Sequence, residues 1–168
     1  MKRIILGLVV AASLHLLLPV SAATGQGTTV GFGGLKADTS QPVEVTADSL
    51  SVSQPDGKAV FSGNVVVVQG DMRLAADEVT VIYGTADRRK IESLRAVGNV
   101  TLAAGADAAE ADEALYTIDT GAVVLTGNVL LTQGPSTLSG QRLTVDLTSG
   151  TGTMEGRVRT VLDPGTRP

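Results

Sequence analysis

The residues with chemical potential in this chain are mostly carboxylates, and they recur on a period. Asp48, Asp77 and Asp112 each follow an alanine, and Asp107, Glu110, Asp112 and Glu113 form a tighter acidic cluster. A pair of carboxylates can hydrolyse a glycosidic bond, and a cluster of them can hold calcium. The pattern argues against both. A catalytic acid is a singular residue in one cleft, not a motif copied at a fixed step, and the cluster lacks the glycine-spaced loop of a calcium site. The repeated aspartates are therefore expected to solvate or cap strand starts. Imidazole and thiol chemistry are absent, because the chain has no cysteine and its one histidine, His15, lies in an N-terminal apolar run. Arg88, Arg89 and Lys90 are candidates for phosphate contact, although a charge run in a turn is usually only solvated. Arg157 and Arg159 could pair with a partner's acids or merely decorate an edge. No catalytic residue, metal site or cofactor is expected.

Composition narrows the class further. The formal net charge of -4 and the four aromatic residues offer neither a basic face nor a stacking platform, which excludes a nucleic-acid partner. Lys2 and Arg3 precede an apolar run from Ile4 to Leu18, followed by Pro19 and the small residues Ser21, Ala22 and Ala23. That is the pattern of a secretory signal peptide over residues 1–23, cleaved after Ala22 or Ala23; the run is short of the roughly 20 apolar residues a membrane span needs. Residues 24–40 are rich in glycine and threonine, and read as a flexible leader or a poorly ordered first edge. The folded domain is expected over residues 41–162. A C-terminal tail at 163–168 contains two prolines that stop any strand near Leu162.

Within those limits the chain repeats itself. Gly63-Asn64-Val65 recurs as Gly98-Asn99-Val100 and Gly127-Asn128-Val129, with a weaker copy at Gly156-Arg157-Val158, in steps of 35, 29 and 29 residues. A second marker, at Ala47-Asp48, Ala76-Asp77, Ala111-Asp112 and Gly140-Gln141, steps by 29, 35 and 29. Its polar member precedes the glycine by 15 residues in three units and by 21 in the second, so a single six-residue insertion around residues 85–90 accounts for the whole mismatch. Four units in register are the mark of stacked supersecondary repeats.

Each unit reads as strands. Apolar residues fall at every second position on both sides of the glycine marker, as in Phe61, Val65 and Val67 or Val123, Leu125, Val129 and Leu131, and no window shows a 3.6-residue period. Beyond the signal there are 19 Val and 19 Thr against 3 Ile, a β-branched bias that suits sheet. Turns are expected at Pro55-Asp56-Gly57, Gly70-Asp71, Gly84, Gly105, Gly121, Gly134-Pro135 and Ser149-Gly150. The Gly-Asn pairs lie inside the apolar parity, which favours a bulge or a close backbone approach over a turn. The fold class is all-β, a stack of short antiparallel strands.

Units such as "AVFSGNVVVVQGDMRLAADEVTVIYG" and "AVVLTGNVLLTQGPSTLSGQRLTVDLTSG", behind a signal peptide and in a chain of this length, resemble the OstA-like periplasmic lipopolysaccharide-transport proteins, the LptA family. The resemblance spans residues 41–162. It implies an OstA-like β-jellyroll, a twisted V of antiparallel strands built from about four repeats. It also implies subunits stacked head to tail in a bridge between an inner-membrane-anchored transport component and an outer-membrane β-barrel translocon, with lipopolysaccharide acyl chains moving along the apolar interior. Related domains occur in both partners, so the fold alone does not fix the component.

Inward parity supplies a groove suited to that role. Its expected lipid-binding residues are Leu50, Val52, Phe61, Val65, Val67, Val79, Val81, Leu94, Val100, Leu102, Leu125, Val129, Leu131, Leu143 and Val145, with Arg88, Arg89 and Lys90 available to lipid phosphates. Small aliphatic side chains leave room for acyl chains, and each methylene removed from water contributes about 0.8 kcal/mol. The same alternation would also make a closed core, so the competing reading is a structural β-repeat protein, a parallel solenoid or an adhesin fragment. A polysaccharide-acting enzyme is a weaker third.

Overall fold

A computed structural model describes residues 28–31, 35–87 and 89–162. The expected signal peptide, the tail and Arg88 lie outside the described residues. Among the described residues eleven strands follow one another: β1 (Thr28–Gly31), β2 (Glu44–Thr46), β3 (Ser49–Ser53), β4 (Lys58–Gln69), β5 (Met72–Tyr83), β6 (Ile91–Ala104), β7 (Asp107–Thr117), β8 (Ala122–Gln133), β9 (Ser136–Asp146), β10 (Thr151–Glu155) and β11 (Arg159–Val161). They pair antiparallel in the order β1-β10-β9-β8-β7-β6-β5-β4-β2, with β3 also on β4 and β11 also on β9. A parallel solenoid is therefore not the architecture.

The meander from β4 to β10 arises because the connections, apart from that between β5 and β6, each contain a glycine at positive φ. Gly70, Gly105 and Gly134 have φ 56°, 58° and 53°, and the connections they serve are two residues long, which places consecutive strands side by side. The insertion inferred from the repeat mismatch is the longer turn between β5 and β6, closed by a hydrogen bond from Gly84 N to Lys90 O at 2.9 Å.

The strands differ from expectation in length. The short runs on either side of each Gly-Asn marker are two halves of one bent strand. Pairing slips between Ser62 and Val65 in β4, between Val97 and Val100 in β6, and between Thr126 and Val129 in β8. At each slip two residues oppose one, and both carry positive φ: Gly63, Gly98 and Gly127 near 80°, Asn64, Asn99 and Asn128 near 47°. Asparagine is among the few non-glycine residues that tolerate this region. Arg157 takes the same conformation in the fourth copy, at φ 50° between β10 and β11.

Stacked in register, the bulges fold the sheet along one line into two arms. The first arm holds β1, β3, β10, Lys58–Ser62 of β4, Glu113–Thr117 of β7, Ala122–Thr126 of β8 and their neighbours; the second holds β2, β11, Val65–Gln69 of β4, Asp107–Glu110 of β7, Val129–Gln133 of β8 and theirs. Residues of both arms form one buried apolar cluster. Thr28–Gly31, within the stretch expected as a leader, are the strand that borders β10.

Candidate functional site

The interior between the arms is built by parity. On a strand, alternate side chains share a face, and here the inward faces of the central strands are apolar over most of their length. Val65, Val67, Val79, Val81, Leu94, Val100, Leu102, Leu125, Val129, Leu131, Leu143 and Val145 are all no more than 2% exposed. The structure brings these twelve together in one core with Ala59, Ala76, Ala96, Ala104, Ala109, Ala111 and Ala114, whose small side chains let the arms approach closely.

The other three expected lining residues sit at one end. Leu50 and Val52 on β3 face the same side as Phe61 and Ala59, their partners across the strand pair. Yet Leu50 is 56% and Val52 61% exposed, whereas Phe61 is partly buried. They share the face of the buried core residues, and no strand beyond the edge covers them. A recess of about 350 Å³ lined by Val52, Gln54, Lys58 and Tyr83 opens beside them. At the opposite end the inward residues Leu143, Val145 and Met154 are fully buried, so the apolar interior runs from β4 to β10 and its face extends to solvent-exposed side chains at the β3 edge.

The fold line is held by a polar ladder. Asn64 Nδ2 donates to Asp48 Oδ2 at 2.7 Å, Asn99 to Asp77 at 2.8 Å and Asn128 to Asp112 at 3.0 Å. Each carboxylate lies against the glycine preceding its asparagine, where a Cβ would overlap it. Asp77 and Asp112 therefore do not cap strand starts but sit in mid-strand, while Asp48 lies in the bend just before β3. Each faces the Gly-Asn bulge of its own unit, which is why the two sequence markers run in phase. A recess of about 450 Å³ along this line is lined by Asn99, Thr101, Glu110, Asp112 and Asn128, a polar surface unsuited to acyl chains.

Polar groups also enter the interior: Gln69 on β4 and Asp107 on β7 are buried among the described residues, and Tyr116 brings in its hydroxyl. Tyr116 Oη on the first arm donates to Gln69 Oε1 on the second at 2.6 Å. Burial pushes the Tyr116 phenol up from its ordinary pKa. Gln69 Nε2 in turn donates to Thr39 O at 2.8 Å and to Gln41 O at 2.9 Å. Sequence reasoning missed Gln69, although Val65, Val67 and Gln69 continue one alternation. It also missed Leu35, fully buried from a segment without apolar periodicity.

The charged candidates lie elsewhere. Lys90 pairs with Asp119 at 2.8 Å, and this hydrogen bond raises the lysine's pKa; Arg89 lies 3.6 Å from Asp87 with its side chain 95% exposed. Both occupy the β5–β6 turn at the tip of the first arm. The acidic cluster is dispersed: Asp107 binds Gln133 at the far tip, Asp112 belongs to the ladder, and Glu113 pairs with Arg95 at 2.7 Å. Among the described residues no group of three or more His, Cys, Asp or Glu could hold a metal ion. Arg157 and Arg159 are exposed beside the β9 edge.

Known proteins resemble this chain. Residues 44–151 match the family described as LptA/(LptD N-terminal domain) LPS transport protein. The chain is 33% identical over 166 residues to an uncharacterized protein of Rhizobium meliloti, covering 93% of this chain and 89% of that one. It is 30% identical over 150 residues to the lipopolysaccharide export system protein LptA of Escherichia coli K12, covering 85% and 74%. The crystal structure of LptH, the LptA homologous periplasmic component of the lipopolysaccharide transport device of Pseudomonas aeruginosa, superposes with a TM-score of 0.68 over 76% of this chain and 99% of that one. At 23% identity this last likeness speaks for the β-jellyroll fold.

Proposed function

The chain belongs to the LptA/(LptD N-terminal domain) family of LPS transport proteins, and from that premise we propose that it is a periplasmic, non-catalytic carrier that takes the acyl chains of lipopolysaccharide between its two arms and passes the lipid towards the outer membrane. The observation that carries this reading is the interior itself: one apolar face, continuous from β3 to β10 and exposed to solvent at the β3 edge.

The arms are packed on each other, so the lipid enters by parting them. Separation in water would expose the buried valines and leucines. Separation around an acyl chain replaces Val–Val and Val–Leu contacts by Val–methylene contacts, while each lipid methylene leaving water contributes about 0.8 kcal/mol. The hinge is the ladder of bulges, where strand hydrogen bonding is already interrupted and the angle between arms can change without breaking the pairing within either arm.

The same reading assigns the two edges. Unpaired strands with exposed apolar residues are templates for further pairing, and joining unlike edges of successive copies gives an open filament. In this proposal β3 with Leu50 and Val52 meets the β1 and β11 edge of a neighbouring copy, and the ends of the filament meet an inner-membrane-anchored component and an outer-membrane β-barrel translocon. The signal peptide at 1–23 delivers the chain to the periplasm. Native mass spectrometry of the signal-free chain, mixed with lipopolysaccharide or with its deacylated form, tests the proposal. Saturable binding that requires the acyl chains is expected; no binding to either form by a folded chain refutes it and favours a closed structural repeat.

A further inference from the structure

We infer that residues 35–43 form a strap across the mouth of the groove, latched by Gln69 and Tyr116, and that the interior admits a long acyl chain only when the strap lets go. The inference rests on the proposed lipid site in the interior.

The topology requires a crossing. β1 ends with Gly31 beside Thr151, at the tip of the first arm on the C-terminal edge; β2 begins with Glu44 beside Val68, at the tip of the second arm on the opposite edge. From Leu35 to Val43 the chain bridges the two tips and contacts both. On the first arm, Ala37 N donates to Leu147 O at 3.0 Å, and the Thr39 methyl packs against Gly121, where an added Cβ would lie 3.3 Å away. On the second arm, Gln69 Nε2 donates to Thr39 O and Gln41 O, and Gly70 lies close under Asp38 O. Leu35 is fully buried, and Ala37 and Val43 pack on the same core. The arms cannot separate at their tips while these contacts hold. Tyr116 and Gln69 add a direct tie, because they come from opposite arms.

The strap is also suited to release. Apart from Leu35 and Val43 its residues are small or polar, and Asp38, Ser40 and Gln41 are exposed. These three keep their own turn: Asp38 Oδ1 accepts from Ser40 N at 3.0 Å and Ser40 Oγ at 2.6 Å, and Oδ2 accepts from Gln41 Nε2 at 2.9 Å. No ion pair joins the strap to either arm among the described residues. Gln69 uses both amide hydrogens on the strap and its oxygen on Tyr116, so one residue's rotation frees three hydrogen bonds together.

A cysteine pair tests this in a chain that has no cysteine of its own. Thr148 Oγ1 and Thr39 Cγ2 lie 2.8 and 3.3 Å from the same point above Gly121, which makes Thr39→Cys with Thr148→Cys the pair to try as a disulfide tying the strap to the first arm. Lipopolysaccharide uptake by the signal-free chain is measured for wild type and for the double variant, oxidised and reduced. The expected result is wild-type uptake in the reduced form and at least tenfold less in the oxidised form; Gln69→Met should accelerate uptake severalfold. Equal uptake by both forms overturns the strap while leaving the groove standing; absence of uptake by wild type overturns the groove and the strap with it. Should the disulfide not form, hydrogen exchange on the wild-type chain decides: protection of residues 35–43 is lost on loading if the strap is a gate and retained if it is not.

Discussion

Substituting Gly98 by alanine probes the device that bends the sheet. Gly98 has φ 81°, a conformation that costs an L-residue roughly 1–2 kcal/mol. The new methyl would also overlap Asp77 Oδ2 and lie 3.0 Å from its Cγ. Asp77 must then swing away and release Asn99, whose bond to it is 2.8 Å long and contributes about 0.5–1.5 kcal/mol. Together these predict a loss of about 1.5–3.5 kcal/mol from the two terms. Gly134 supplies the control, because it has positive φ but no atom within 4 Å of an added Cβ, so Gly134→Ala should lose the backbone term alone. In an Asp77→Ala background, Gly98→Ala should likewise lose only that term, giving a coupling of about 1 kcal/mol in the double-mutant cycle. Urea unfolding followed by far-ultraviolet circular dichroism measures all four. If Gly98→Ala and Gly134→Ala agree within about 0.5 kcal/mol and the cycle shows no coupling, the close approach of aspartate to glycine is not what holds the fold line.

Tyr116→Phe leaves Gln69 Oε1 without its buried donor and should cost about 1–3 kcal/mol in the same assay, with no change counting against the latch. Because burial raises the Tyr116 phenol above its ordinary value of 10.0, the protonated form is the one the fold favours; stability from this group should be complete below that pH and fall as pH rises through the folded-state value, seen as a declining urea midpoint and a late phenolate absorbance. Leu50→Ser together with Val52→Ser should leave the urea midpoint of the single chain nearly unchanged, since both side chains are already largely exposed, but should weaken self-association in sedimentation velocity; unaltered association would remove β3 from the proposed interface. Lys90→Ala breaks a solvent-exposed pair with Asp119 and should leave both thermal midpoint and lipid uptake unchanged, while a loss of uptake that persists in high salt would restore the turn as a phosphate contact.

Much of the fold was legible because its signals are local and repeated. Alternation at Val65, Val67, Val129 and Leu131 assigned their face, and the turn glycines marked the hairpins. The phase between the Ala-Asp and Gly-Asn markers foreshadowed a spatial pairing, since Asp48, Asp77 and Asp112 each contact the glycine that follows at the next marker. The role of Asp77 and Asp112 was misread as strand capping because a bulge in mid-strand and a strand start carry the same polar and small residues; Asp48 does precede a strand, β3. Leu50 and Val52 show the opposite limit: parity fixes a face, whereas burial depends on which strand lies next, and that is a property of the edge.

The sequence by itself determined an antiparallel repeat with an apolar face, because strand period, turn chemistry and bulge are decided by neighbours a few residues away. The tertiary structure alone decided that the two halves of each strand would fold against each other, that Tyr116 would find Gln69, and that residues 35–43 would span the arm tips. Those contacts join residues far apart in the chain, and their partners are chosen by where the bent sheet brings them rather than by any pattern around them.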